Sequence, residues 1–141
     1  MKAIGTIDSS KNFIDFEIEK PILRPHDLLI KVEAISINPV DTKVRKGIKG
    51  NLAEPKILGW DGLGTVVELG SETKLFKVGD KVFWAGDVNR SGSNAEFQAV
   101  DERIVGFAPK NLTKEKAVAM PLTSLTAYEL LFEKLEVTDK S

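Results

Sequence analysis

The hydrophobic pattern of this 141-residue chain changes period once, near Thr113, and that change constrains the fold more than any other feature. Upstream, apolar residues come in short β-rich runs cut by turn residues. "KAIGTI" (2–7) and "FIDFEI" (13–18) flank "DSSKN", a turn cluster. In "DLLIKVEAISIN" (27–38), Leu28, Ile30, Val32, Ala34 and Ser36 face one way, and Lys31 and Glu33 the other. That is the alternation of a half-buried strand. "GTVVELG" reads as a strand, "LFKVGDKVFW" as strand, turn and strand, and "AEFQAVD" and "RIVGFAP" as two more. Pro39 opens one short helix, "PVDTKVRKG", which Gly47 closes. Downstream of Thr113 the steps become three and four, through Val118, Leu122, Leu125, Tyr128, Leu131, Phe132 and Leu135. Such a stripe predicts helix. Thr113 is its N-cap, Glu115 complements the helix dipole in the first turn, and Pro121 divides it in two. The expected class is mainly β with helices (α+β): a small, partly open β-barrel with a terminal helix leaving it.

Charge and cysteine usage then exclude several functions. Twenty basic residues against twenty-one acidic ones give a net charge of −1, which offers no electrostatic reason to bind nucleic acid or an anionic membrane. With no cysteine, disulfides and thiolate metal sites are impossible. "MKAIGTIDSS" lacks the apolar core of a signal peptide, and no run is long enough to span a bilayer. A soluble, cytoplasmic protein is the expectation.

One stretch carries more than turn chemistry. "KILGWDGLGTVVELG" (56–70) spaces its first glycines G-x-x-G-x-G and runs into a strand. A dinucleotide fingerprint is G-x-G-x-x-G, follows a strand and opens a helix. A tight turn with close backbone approach accounts for the glycines. It leaves Trp60 and Asp61 at the apex unexplained.

Five stretches in order, "LLIKVEAISINPVDTKVRKG" (28–47), "ILGWDGLGTVVELG" (57–70), "FKVGDKVF" (76–83), "GSNAEFQAVDE" (92–102) and "AVAMPLTSLTAYELL" (117–131), resemble the N-terminal catalytic domain of the medium-chain dehydrogenase/reductase superfamily. The resemblance is to its zinc-independent, quinone oxidoreductase-like branch. It implies a chaperonin-10-like (GroES-like) barrel over 1–112. Residues 113–141 would then be a helical segment leading toward a nucleotide-binding domain that this chain lacks.

Zinc members of the superfamily carry Gly-His-Glu-x-x-Gly at the turn, and the histidine binds the metal. Here Trp60 stands for the histidine, Asp61 for the glutamate, and Asn38 for a cysteine ligand at the end of the preceding strand. An indole N–H only donates and cannot ligate. The turn resembles a metal site that has lost its ligands, so no zinc is expected. The implied activity is hydride transfer between a nicotinamide and a small-molecule quinone, enone or other carbonyl substrate. NADP(H) ranks ahead of NAD(H), held mainly by the absent domain. By resemblance Asn38, Asp41 and Asp61 are catalytic, and Asn38, Pro39 and Thr126 meet the cofactor. Relatives often place a tyrosine where this chain has Lys43. Such a fragment is expected to be inactive alone, and to self-associate through the face meant for the missing domain. The competing reading is a non-catalytic chaperonin-10-like barrel used for binding or assembly.

Plainer readings stand beside these. Asn38-Pro39 starts helices, Asp41 suits a first helical turn, and Trp60 could be a core aromatic. His26 reads as an exposed turn residue. Lys43, Arg45, Lys46 and Lys49 read as a solvated face.

Overall fold

The computed structural model describes residues 1–8, 10 and 12–138. The turn expected over 8–12 therefore lies partly outside the described residues. Two sheets form. Strands β1 (Lys2–Thr6), β2 (Ile14–Glu17) and β4 (Lys56–Ile57) make a small sheet ordered β2-β1-β4. Strands β3 (Asp27–Ser36), β5 (Asp61–Leu69), β6 (Lys81–Ala85), β7 (Phe97–Asp101) and β8 (Val105–Phe107) make a five-stranded sheet ordered β7-β3-β5-β6-β8, antiparallel throughout. The Ala3–Ala95 bridge ties the small sheet to the segment ahead of β7. The end strands β7 and β8 do not pair, so the barrel stays open.

The core follows the alternation. Leu28, Ile30, Val66, Val82, Trp84 and Val100 cluster inside the large sheet, with Val32, Leu69, Phe76 and Val105 against them. Helix α1 (Pro39–Gly47) crosses from β3 as expected. Helix α2 (Lys114–Val118) seals one end by packing Ala117 and Val118 on Leu63. Helix α3 (Pro121–Tyr128) follows, broken from α2 at Pro121, and continues into a π-helical stretch, Glu129–Lys134. Only Pro121 at its start is buried; Leu125, Tyr128, Leu131, Phe132 and Leu135 are all exposed.

Three local expectations change. Asp27–Ile30 are buried without alternation, and the two-residue period sets in only at Lys31, where pairing with β7 stops. The segment before Gly79 is not a strand. The Lys74 and Leu75 amides donate to the buried Glu102 carboxylate at 2.9 and 2.8 Å instead of to a neighbouring strand. Strand β5 begins at Asp61, not at Gly64, so the glycine-rich stretch lies largely within it. Gly64 is needed there because a Cβ would sit 2.1 Å from the Lys31 carbonyl oxygen of β3.

Candidate active site

Asn38 stands between β3 and α1, and its backbone N–H donates to Asp41 Oδ2 at 2.7 Å, the acidic half of a helix-start device. Asp41 Oδ1 accepts the Gly59 N–H at 2.9 Å. Asp41 therefore ties the start of α1 to the turn before β5. That turn demands glycine: Gly59 has φ of 100°, and a Cβ would fall 2.5 Å from Ser93 Oγ.

Asp61 ties the other side. Its Oδ2 accepts from Asn38 Nδ2 at 2.8 Å, and its Oδ1 accepts the Leu122 N–H at 2.9 Å, in the first turn of α3. Its carbonyl accepts from Ser93 Oγ at 2.8 Å. The segment carrying Ser93 lies along the 57–59 backbone, with Gly92 N–H on the Ile57 carbonyl, Ser93 N–H on Gly59 and Asn94 N–H on Leu58. Four elements converge on this knot, and Asn38, Asp41 and Asp61 are 7%, 7% and 0% exposed. Burial pushes the Asp61 carboxyl above the ordinary aspartate range, and the nearby Asp41 charge adds to it. The bonds from Asn38 and Leu122 oppose the rise.

The sequence-derived candidates separate into groups. Asn38, Asp41 and Asp61 form one hydrogen-bonded unit. Pro39 is exposed beside it. Thr126 is also exposed, one helical turn beyond Leu122, with its hydroxyl donating to the Leu122 carbonyl at 2.8 Å. It shares α3 with the knot without touching it. Trp60 is 1% exposed, a core aromatic whose indole N–H has no acceptor among the described residues. Lys43 is exposed. His26 is half-buried between carboxylates, 3.2 Å from Glu72 and 3.5 Å from Glu102, so it is not simply an exposed turn residue. Two participants had no role assigned from sequence, the buried Ser93 and the Leu122 amide. The only signal for Ser93 was its place in "GSNAEFQAVDE"; a backbone donor leaves no signal.

The profile of the alcohol dehydrogenase GroES-like domain matches residues 24–119, which include every knot residue but Leu122 and stop short of Thr126. The chain belongs to the alcohol dehydrogenase GroES-like domain family. That places it in the medium-chain dehydrogenase/reductase superfamily, a family of oxidoreductases. A zinc-type alcohol dehydrogenase-like protein of Staphylococcus epidermidis is 43% identical over 138 residues, covering 94% of this chain and 40% of that protein. An alcohol dehydrogenase superfamily protein from Novosphingobium aromaticivorans superposes with a TM-score of 0.89 at 34% identity, over 99% of this chain and 43% of that one. The Escherichia coli quinone oxidoreductase, solved with NADPH, superposes with a TM-score of 0.80 at 25% identity, over 93% and 40%. The chain thus spans about two-fifths of the length of these relatives.

Within this GroES-like domain the donor set does not fit zinc. At the turn the histidine position is an indole, and the chain has no thiolate. The carboxylates beside it have all four oxygens engaged by N–H donors of the protein. Among the described residues no group of three His, Cys, Asp or Glu could hold a metal ion. A nicotinamide is a different matter. Asn38 has a second amide hydrogen beyond the one given to Asp61, and the exposed Thr126 hydroxyl, which donates to Leu122, still has its acceptor lone pairs.

Proposed function

We propose that this chain is the substrate-side domain of a nicotinamide-dependent oxidoreductase that reduces a quinone, enone or other carbonyl compound without zinc. The observation that carries this reading is the hydrogen-bonded carboxylate pair: each of the four oxygens of Asp41 and Asp61 accepts an N–H of the protein around Asn38. A site built this way works by positioning and hydrogen bonding in place of Lewis-acid chemistry. The bound cofactor supplies or accepts the hydride. Asn38, Pro39 and Thr126 would meet its nicotinamide end, with the Asn38 amide donating to a carbonyl oxygen. Asp61 holds that amide in place, and Asp41 holds the Asn38 backbone N–H behind it. The pyrophosphate would be carried by a helix N-terminus in a nucleotide-binding domain outside residues 1–141. NADP(H) ranks ahead of NAD(H), supported by the NADPH-bound quinone oxidoreductase relative.

The test uses the reductase containing this domain together with its nucleotide-binding domain, purified without a histidine tag. NADPH-dependent reduction of 1,4-benzoquinone should survive exhaustive chelation, and Asn38→Ala should lower kcat by roughly 10–100-fold, the scale for losing one positioned donor. A rate that collapses on chelation and returns with added zinc would overturn the metal-free reading. An unchanged kcat in Asn38→Ala would remove Asn38 from the chemistry.

A further inference from the structure

We infer that Asp61 is a positioning residue that fixes which end of the Asn38 carboxamide the site presents, and that it couples this choice to the seating of α3. The inference rests on the reading of Asn38 as a group that meets cofactor or substrate. Its structural half stands without that reading.

The argument begins with valence. An ionised carboxylate accepts and cannot donate, so the Asn38 atom that faces ionised Asp61 Oδ2 must be the nitrogen. At 2.8 Å, between residues 0% and 7% exposed, water does not compete for that bond. An amide group has two flips of nearly equal shape, and only its partners decide between them. Here the partner is a buried charge, and the wrong flip would set the amide oxygen against a carboxylate oxygen. The other Asp61 oxygen is not spare. It holds the Leu122 N–H, on the short helix that carries Thr126 one turn later. One carboxylate therefore links the two side chains assigned to the nicotinamide end, although neither touches the other. The Ser93 hydroxyl on the Asp61 carbonyl and the Asp41 bonds to Asn38 and Gly59 fix the backbone on either side. The carboxylate cannot shift to accommodate a flipped amide.

Asp61→Asn separates this role from simple support. The introduced carboxamide has one acceptor and one donor group where the carboxylate had two acceptors. If its oxygen keeps the Leu122 N–H, its nitrogen faces Asn38, and Asn38 must flip to offer its oxygen. The helix tie survives and the polarity of Asn38 reverses. Asp61→Leu loses both.

In the wild-type domain, side-chain amide exchange followed by NMR should show one Asn38 Nδ2 hydrogen protected at least about tenfold more than the other, since only one is held in a buried bond. Equal exchange of the two hydrogens overturns the lock whether or not any variant folds. In Asp61→Asn, Asn38 Nδ2 protection should vanish while the Leu122 amide stays protected. In the reductase containing the domain, kcat should fall roughly 10–100-fold, with KM for NADPH within about threefold. Asp61→Leu should lose protection at both sites. Retained Asn38 protection in Asp61→Asn, or an unchanged kcat, overturns the inference. Absence of NADPH-dependent turnover in the wild type would count against the proposed function alone, because the exchange measurements still decide the lock.

Discussion

Replacing Arg90 by alanine should destabilise the domain by about 3–5 kcal/mol at neutral pH, the scale for removing one partner of a buried ion pair. Arg90 lies on the loop after β6 and closes a two-pronged pair with Asp27 at the start of β3, at 2.8 and 2.6 Å. The Asp27 side chain is 1% exposed and that of Arg90 18%. Without the guanidinium, Asp27 would keep one hydrogen-bond donor among the described residues, the neutral Arg24 N–H at 3.0 Å, with the Arg24 charge as a weaker compensation. The pH dependence is the sharper signature. In the native protein burial alone would raise the Asp27 pKa, but the Arg90 bonds and the Arg24 amide outweigh it, and the value lies below the ordinary one. A lowered folded pKa stabilises above the unfolded value of about 3.9 and loses that contribution as pH falls through the folded value. In Arg90→Ala burial is no longer outweighed, so the folded pKa rises, and the variant is penalised as pH climbs above about 3.9. Both effects make the wild-type advantage largest near neutrality and shrink it toward pH 3. Urea denaturation of both proteins at pH 7, 5 and 3 measures this. A difference below about 1 kcal/mol at pH 7, or one of constant size at all three pH values, would refute the reasoning, because a mere packing loss does not titrate.

Two further outcomes follow from the same packing. Gly64→Ala should cost about 3 kcal/mol, the upper end for overpacking, since the obstructing atom is the Lys31 carbonyl oxygen of the paired strand and not a movable side chain; a urea midpoint within error of wild type would contradict it. The isolated domain should self-associate at high concentration through the exposed Leu125, Tyr128, Leu131, Phe132 and Leu135. Leu131→Glu should abolish this in sedimentation velocity while changing stability by less than about 0.5 kcal/mol, and a wild-type domain that stays monomeric would speak against the face.

What the sequence could reveal was whatever depends on residue type at short range. The helix Pro39–Gly47 was readable because proline at its first position and glycine at its last punctuate it locally. The break at Pro121 was readable for the same reason. The segment before Gly79 was misread because "LFK" has strand composition, while the Lys74 and Leu75 amides go to Glu102, 28 and 27 residues away, and the Lys77 amide goes to Asp80. Local propensity does not register a distant carboxylate. The start of β5 was placed three residues late because glycine weakens a strand on propensity grounds, whereas at Gly62 the Trp84 indole fills the side-chain place, 2.2 Å from where a Cβ would sit.

The site divides along the same line. Asn38, Asp41 and Asp61 could be named because a family pattern marks those positions, yet nothing in the pattern says that the two carboxylates serve different partners. That follows from three-dimensional valence: four acceptor oxygens meet four N–H donors, and only one of those donors, Asn38 Nδ2, is a side chain. The backbone amides of Gly59 and Leu122 belong to residues with no polar side chain at all. Most of the donors that shape this site are thus invisible to any reading of side-chain types. They exist only once the 59 turn and the first turn of α3 have been brought against β3 and α1. The Asp41 and Asp61 carboxylates accept from Asn38, Gly59 and Leu122 and the Ser93 hydroxyl donates to the Asp61 carbonyl, so hydrogen bonds of the protein itself join these four segments.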